Sequence, residues 1–191
     1  MKYEDIKKNL YVSVINEAKV KTQMVRTNVA DLCLIYKVEA GDYNFVVTYD
    51  MLDAFGITAR QIHCDAMENG ARIHPPITRT LGGLVSELTG EHVEDRSDIL
   101  VLTTRSEVGE AAALFYPNVM ETIAKIMGGS YYVLPSSIYE MLIVPESIGM
   151  SPKELAALVY TVNESEVTEE DRLSYHVYRY DAALFGFGIV E

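Results

Sequence analysis

The chain has 191 residues, of which 49% are hydrophobic and 23% charged, with 13 Tyr, 5 Phe and no Trp. That balance suits a soluble globular protein of one domain, or of two small halves sharing a core. Its 28 acids against 16 bases give a formal charge of −12, which argues against nucleic acid and against anionic membranes as partners.

Cys33 and Cys64 are too few for a disulfide framework, and Cys33 lies in the apolar run Leu32-Cys33-Leu34-Ile35 as a small core residue. The charged start Met1-Lys2-Tyr3-Glu4-Asp5 has no apolar signal core, and no stretch approaches the ~18 apolar residues of a membrane span. The expected compartment is a reducing cytoplasm.

In chain order, residues 10–15 read as a short strand and 17–25 as a helix. Residues 31–39 read as a strong strand, with Leu32, Leu34, Tyr36 and Val38 alternating with Cys33, Ile35 and Lys37. Gly41-Asp42 signals a turn, and 44–48 returns as a strand. A short helix over 49–55 ends at Gly56, and Thr58 caps another running to Asn69. Pro75-Pro76 predicts a break, 78–88 a short helix interrupted by Gly82-Gly83, and 91–98 a charged loop. Residues 99–103 form a strand and 105–109 a turn. Residues 111–116 read as a returning strand, with helix as the alternative that the alanines favour. A helix over 118–127 buries Val119, Ile123, Ala124 and Met127, and Gly128-Gly129 stops it. Strands follow at 131–134 and 139–144, then a helix capped by Ser151 with Pro152 at its first position. A last strand, 177–180, precedes an apolar tail.

One motif occurs twice. Gly56-Ile57-Thr58-Ala59-Arg60-Gln61-Ile62 is echoed by Gly149-Met150-Ser151-Pro152-Lys153-Glu154-Leu155. Each copy reads as a capping box, in which the hydroxyl accepts from an orphan amide and the Gln or Glu reaches back. Each helix ends near an asparagine, Asn69 or Asn163, and each follows two apolar segments. The echo predicts two related halves, 10–70 and 99–165, within one compact domain 1–191. The competing reading is that capped helices after hairpins recur by chance. The expected fold class is α+β, with a mixed, mostly antiparallel sheet and flanking helices.

No constellation names a reaction. His63-Cys64-Asp65 offers ligand types, but neighbours on a helix point about 100° apart and cannot close on one metal. His74 and His92 stand isolated, and no metal or other cofactor is expected. Thr103-Thr104-Arg105-Ser106 lacks the glycines of a phosphate loop. The acids Glu164, Glu166, Glu169, Glu170 and Asp171 lack the glycine of a calcium loop and read as a solvated linker. The tightest polar cluster is Ser136 and Ser137 with Glu140, between two apolar strands. It is the candidate binding site, with no catalytic residue assigned; as a plain turn its hydroxyls would bond the backbone.

The segment Tyr132-Val133-Leu134-Pro135-Ser136-Ser137-Ile138-Tyr139-Glu140, followed by Ile143-Val144-Pro145, resembles a bacterial family of unknown function found mostly in gut-dwelling anaerobic Firmicutes of the clostridial group. The resemblance extends to Val14-Ile15-Asn16, Asp31-Leu32, the Gly56-Ile57-Thr58 helix, Leu114-Phe115-Tyr116-Pro117, Asn163 and the segment from Tyr178 to Asp181. That family often has a histidine before the glutamate, where this chain has Tyr139. Its members tend to be longer at the N-terminus, so the chain reads as a short or trimmed form. The resemblance implies a grouping by fold and no activity.

The absence of a nucleophile–base pair, a metal spacing or a phosphate loop points to a non-catalytic protein-interaction module. The enzyme alternative is a small hydrolase or transferase using Ser136 or Ser137 with Glu140. A third reading is a small-ligand sensor with a cleft at the 70–98 seam. An interaction module predicts an apolar patch or an unpaired strand edge; an enzyme predicts a pocket where those side chains meet a base.

Overall fold

The computed structural model describes residues 2–41, 43–90, 98–105 and 110–190. Asp42 of the predicted turn, the stretch 91–97 with His92, and residues 106–109 of the turn after Arg105 lie outside them.

Helix α1 (Tyr3–Lys7) leads into strand β1 (Leu10–Asn16). The predicted helix over 17–25 is a single 3-10 turn, Glu17–Lys19, and the chain then enters β2 (Arg26–Val29), β3 (Leu32–Ala40) and β4 (Tyr43–Val46). β3 is the centre of this sheet, with β1 on one side and β2 and β4 on the other, all antiparallel. The alternation in β3 sets its register. Leu34, Tyr36 and Val38 lie opposite Val14, Val12 and Leu10 and share one buried face.

Helices α2 (Tyr49–Phe55) and α3 (Ala59–Ile73) follow. Gly56 ends α2 in the left-handed region, φ 66°, where a side chain would be strained. Thr58 caps α3 by accepting from the Gln61 amide at 3.1 Å, but the box is half made: Gln61 donates to Asp65 instead. Nor does α3 end at Asn69. It runs on to Ile73, and Asn69 donates to the Lys7 carbonyl at 2.6 Å, clipping α1 to α3.

Pro76 does not break the chain; it opens β5 (Pro76–Thr80), the first residue of an edge strand, where its missing N–H is harmless. Thr80 then caps α4 (Leu81–Thr89), so Gly82-Gly83 sits in its first turn and interrupts nothing. After β6 (Leu100–Thr104), the segment expected as a strand is a 3-10 helix, Ala111–Phe115. Three consecutive alanines with no solvent exposure let the backbone pack closely, and alanine has little to gain from a pleated surface.

Helix α5 (Val119–Met127), strands β7 (Tyr131–Pro135) and β8 (Met141–Pro145), helix α6 (Pro152–Ser165) and β9 (Val177–Asp181) appear near the predicted places. The Ser151 capping box on α6 is complete. The apolar tail is a strand, β10 (Gly186–Val190). The second sheet has the order β10-β9-β7-β8-β6-β5, again antiparallel throughout. The fold is thus α+β, with two antiparallel sheets and flanking helices. One apolar cluster draws on both, from Leu10 and Tyr36 to Tyr131 and Tyr178.

Candidate functional site

The β7–β8 connection carries Ser136, Ser137 and Glu140, and the fold brings all three together. The Ser136 hydroxyl lies 3.4 Å from a Glu140 carboxylate oxygen. The Ser137 amide donates to the Glu140 carbonyl, and Ser137 Oγ accepts from the Tyr139 amide at 3.1 Å. Around them the turn is tied on three sides. Ile138 N donates to the Asp171 carbonyl, Ala111 N to the Ile138 carbonyl, and the Thr103 hydroxyl to the Tyr139 carbonyl. Tyr139 OH donates to Asp171 Oδ1 at 3.0 Å. No imidazole bonds either serine among the described residues, so the only base in reach is Glu140, at a long distance from Ser136.

The acidic run 164–171 is no loose linker. The Lys19 ammonium donates to the carbonyls of Glu169, Glu170 and Arg172 at 2.6–2.9 Å, and Glu164 takes Tyr175 OH and Arg172. Residues 63–65 diverge as their helical spacing requires. His63 bonds Tyr36 OH at 2.9 Å, Cys64 is exposed, and Asp65 accepts from Tyr3, Gln61 and Lys7. His74 Nε2 lies 2.8 Å from a Glu39 oxygen, without the alignment of a hydrogen bond.

Two polar clusters escaped the sequence reading. The first centres on Asp31, in the β2–β3 turn. Its carboxylate accepts from Ser174 Oγ at 2.7 Å, His176 Nδ1 at 2.9 Å and Tyr178 OH. The residue types suggest a catalytic triad, but the geometry does not make one. Ser174 Oγ contacts the same imidazole nitrogen that faces the carboxylate, and it spends its proton on Asp31. A triad needs the serine on the opposite nitrogen. The cluster ties the first sheet to the start of β9.

The second cluster centres on Glu110, whose side chain is largely buried, 3.0 Å from Ser13 Oγ and 3.9 Å from Lys37 Nζ. Burial pushes its carboxyl above the usual range, and the pull of Lys37 and Ser13 does not cancel that. The sign follows. A carboxyl with a raised folded pKa favours the protonated fold, so its ionisation erodes stability as pH rises from 4.5 to its folded value, and not beyond. Glu110→Gln should therefore gain stability relative to the native chain across that window, measured by urea denaturation between about pH 4 and 8. A constant difference at all pH values would contradict it.

Exposed apolar side chains and three clefts lie around α5. Successive helical residues turn by about 100°, which puts Val119, Thr122 and Ile126 on one flank and Glu121, Ala124 and Lys125 on the other. The first flank faces a cleft of about 220 Å³ shared with Pro76 and Ile77 of β5, and the second one of about 210 Å³ shared with Tyr180 and Phe185. A third cleft, about 400 Å³, opens at the C-terminal end of α5 between Thr80, Asp98, Ile126 and Ser147. Ile126 stands between clefts at 59% exposure, and beside them the β9–β10 turn holds Leu184 at 79% and Phe185 at 72%. That turn is built, not loose. Asp181 Oδ1 accepts from the amides of Ala183 and Leu184, Arg179 braces Asp181, and Phe185 sits at φ 52°. The sequence carried a signal for this surface: Ile126 is a large apolar residue off the buried stripe of α5.

These features define an α+β protein of two antiparallel sheets, with its sequence-predicted polar residues in a tied turn and several of its exposed apolar side chains around one short helix. Residues 1–182 match the model of DUF5688, a family of unknown function, and the chain belongs to that family. No curated protein and no solved structure shows significant similarity to it. Among the described residues, no helix is long and apolar enough to cross a membrane, and no group of three or more His, Cys, Asp or Glu side chains could hold a metal ion.

Proposed function

We propose that this protein is a non-catalytic protein-interaction module of the cytoplasm of clostridial bacteria, and that it binds its partner through α5 and the adjoining β9–β10 turn. The observation that carries this reading is Ile126, exposed between two clefts, with Leu184 and Phe185 presented on a braced turn at the opposite flank of α5. Large apolar side chains held in fixed positions lose little freedom on binding and can anchor an interface. The outer edge of β5, unpaired among the described residues, borders the same clefts and offers a strand-addition site. Affinity capture with the native chain and with Ile126→Asp tests the reading. A partner retained by the native chain, lost with Ile126→Asp and kept by Ser136→Ala/Ser137→Ala is the expected result. A partner equally retained by both baits would contradict it.

Two other readings have one observation each. The Ser136–Glu140 contact favours a hydrolase or transferase, and the 400 Å³ cleft at the 70–98 seam, with Thr80, Asp98 and Ser147 on its wall, favours a small-ligand sensor. In the turn role that we prefer for Ser137, Ser137→Ala should cost about 1–2 kcal/mol in denaturant unfolding, because the Tyr139 amide loses its acceptor. Unchanged stability would favour the enzyme reading.

A further inference from the structure

We propose that the occupant of the α5 surface is a second copy of this chain, paired antiparallel across a two-fold axis. This rests on the reading of α5 as the binding face. Three observations on α5 are mutually consistent with such an axis. Glu121 and Lys125 lie one turn apart on the same flank and line the same cleft; among the described residues neither has an ion-pair partner. A two-fold axis running across the helix keeps each flank against its own counterpart and reverses helix direction. Lys125 of one copy then faces Glu121 of the other, and the pair is made twice. On the opposite flank the same reversal carries Ile126 toward the Val119–Thr122 end of the second copy's α5. There the cleft shared with Pro76 and Ile77 would receive it. The β9–β10 turns lie on the Glu121 flank, so Leu184 and Phe185 meet their own counterparts and widen the apolar contact. A surface whose charges and apolar groups both satisfy one symmetry operation is what an isologous interface requires.

Two chains of charge −12 repel at long range. At physiological ionic strength that repulsion is screened beyond about 8 Å, while a contact pair is screened less. Association is therefore expected near physiological salt and weakened at low salt.

Sedimentation velocity across a wide concentration range tests the proposal, with circular dichroism confirming that each variant is folded. The native chain should form dimers, Ile126→Asp should be monomeric, and Lys125→Glu should raise the dimer dissociation constant about tenfold, since it sets like charges opposite each other. The double variant Glu121→Lys/Lys125→Glu should restore dimers to within about threefold, because the exchange rebuilds the pair across the axis. A native chain that stays monomeric, or a double variant no better than Lys125→Glu, overturns the proposal. If the native chain is monomeric yet Ile126→Asp still loses a captured partner, the second copy is wrong and the interaction-module reading stands. If neither dimer nor captured partner depends on Ile126, both fail.

Discussion

Asp31→Ala is expected to destabilise the protein by about 3 kcal/mol, one of the two largest single effects outside the apolar core. The carboxylate accepts three side-chain hydrogen bonds, from Ser174, His176 and Tyr178, and two of those donors are fully or nearly fully buried. Removing the acceptor orphans the buried Tyr178 hydroxyl and takes the acceptor from Ser174, whose Oγ keeps only the His176 amide and imidazole, and an orphaned buried donor costs more than a lost bond. Tyr178→Phe removes one donor and keeps the acceptor, so it should cost only about 1 kcal/mol. The pH dependence has a definite sign. Burial pushes the Asp31 carboxyl up, but the bonds from Tyr178, Ser174 and His176 outweigh it and hold the pKa below the ordinary 3.8. A depressed folded pKa gives stability that is full above 3.8 and is lost as pH falls through the folded value. Urea unfolding of the native chain and Asp31→Ala should therefore differ most near neutral pH and converge in strong acid.

Gly70→Ala is expected to destabilise by about 1–3 kcal/mol, although the same change inside a helix ordinarily stabilises by up to about 1 kcal/mol. An added Cβ at Gly70 would lie 2.9 Å from Tyr116 Oη and 3.0–3.1 Å from two ring carbons. Tyr116 is 2% exposed, so its ring has nowhere to swing. The Tyr116 hydroxyl is also buried with no hydrogen-bond partner among the described residues. Tyr116→Phe alone should then be neutral or slightly stabilising, because an unsatisfied polar group is removed. In the double variant, Phe at 116 should recover part of the Gly70→Ala loss, giving a coupling of about 1 kcal/mol in a thermodynamic cycle. Additive single effects would mean that the two residues do not press on each other.

What could be read from the residues, and what could not, divides along the range of the interactions involved. The β3 alternation, the Gly56 stop, the Thr58 and Ser151 caps and the ends of α5 all depend on neighbours within one turn or one strand, and they appeared near the predicted places. β2 escaped because its hairpin turns at Ala30-Asp31, with Ala30 at φ 54° and no glycine or asparagine to signal it. The 3-10 helix Ala111–Phe115 escaped because tertiary packing of three buried alanines, and not propensity, decides its shape. The Ser136, Ser137 and Glu140 grouping was legible because it lies within one turn. The Asp31 cluster was not, since its partners are more than 140 residues away in sequence. The α5 surface lay between these cases. The amphipathic helix could be read, but only the fold shows that β5 and the β9–β10 turn flank it.

We propose that this protein acts by binding through the α5 face. Photo-crosslinking tests it most directly, with benzoylphenylalanine placed at position 126 in one variant and at position 140 in another, each irradiated in cells. A discrete adduct is expected from position 126, either with a second copy of the chain or with one partner, and none from position 140. An adduct from position 140 alone, or from neither position, would contradict it.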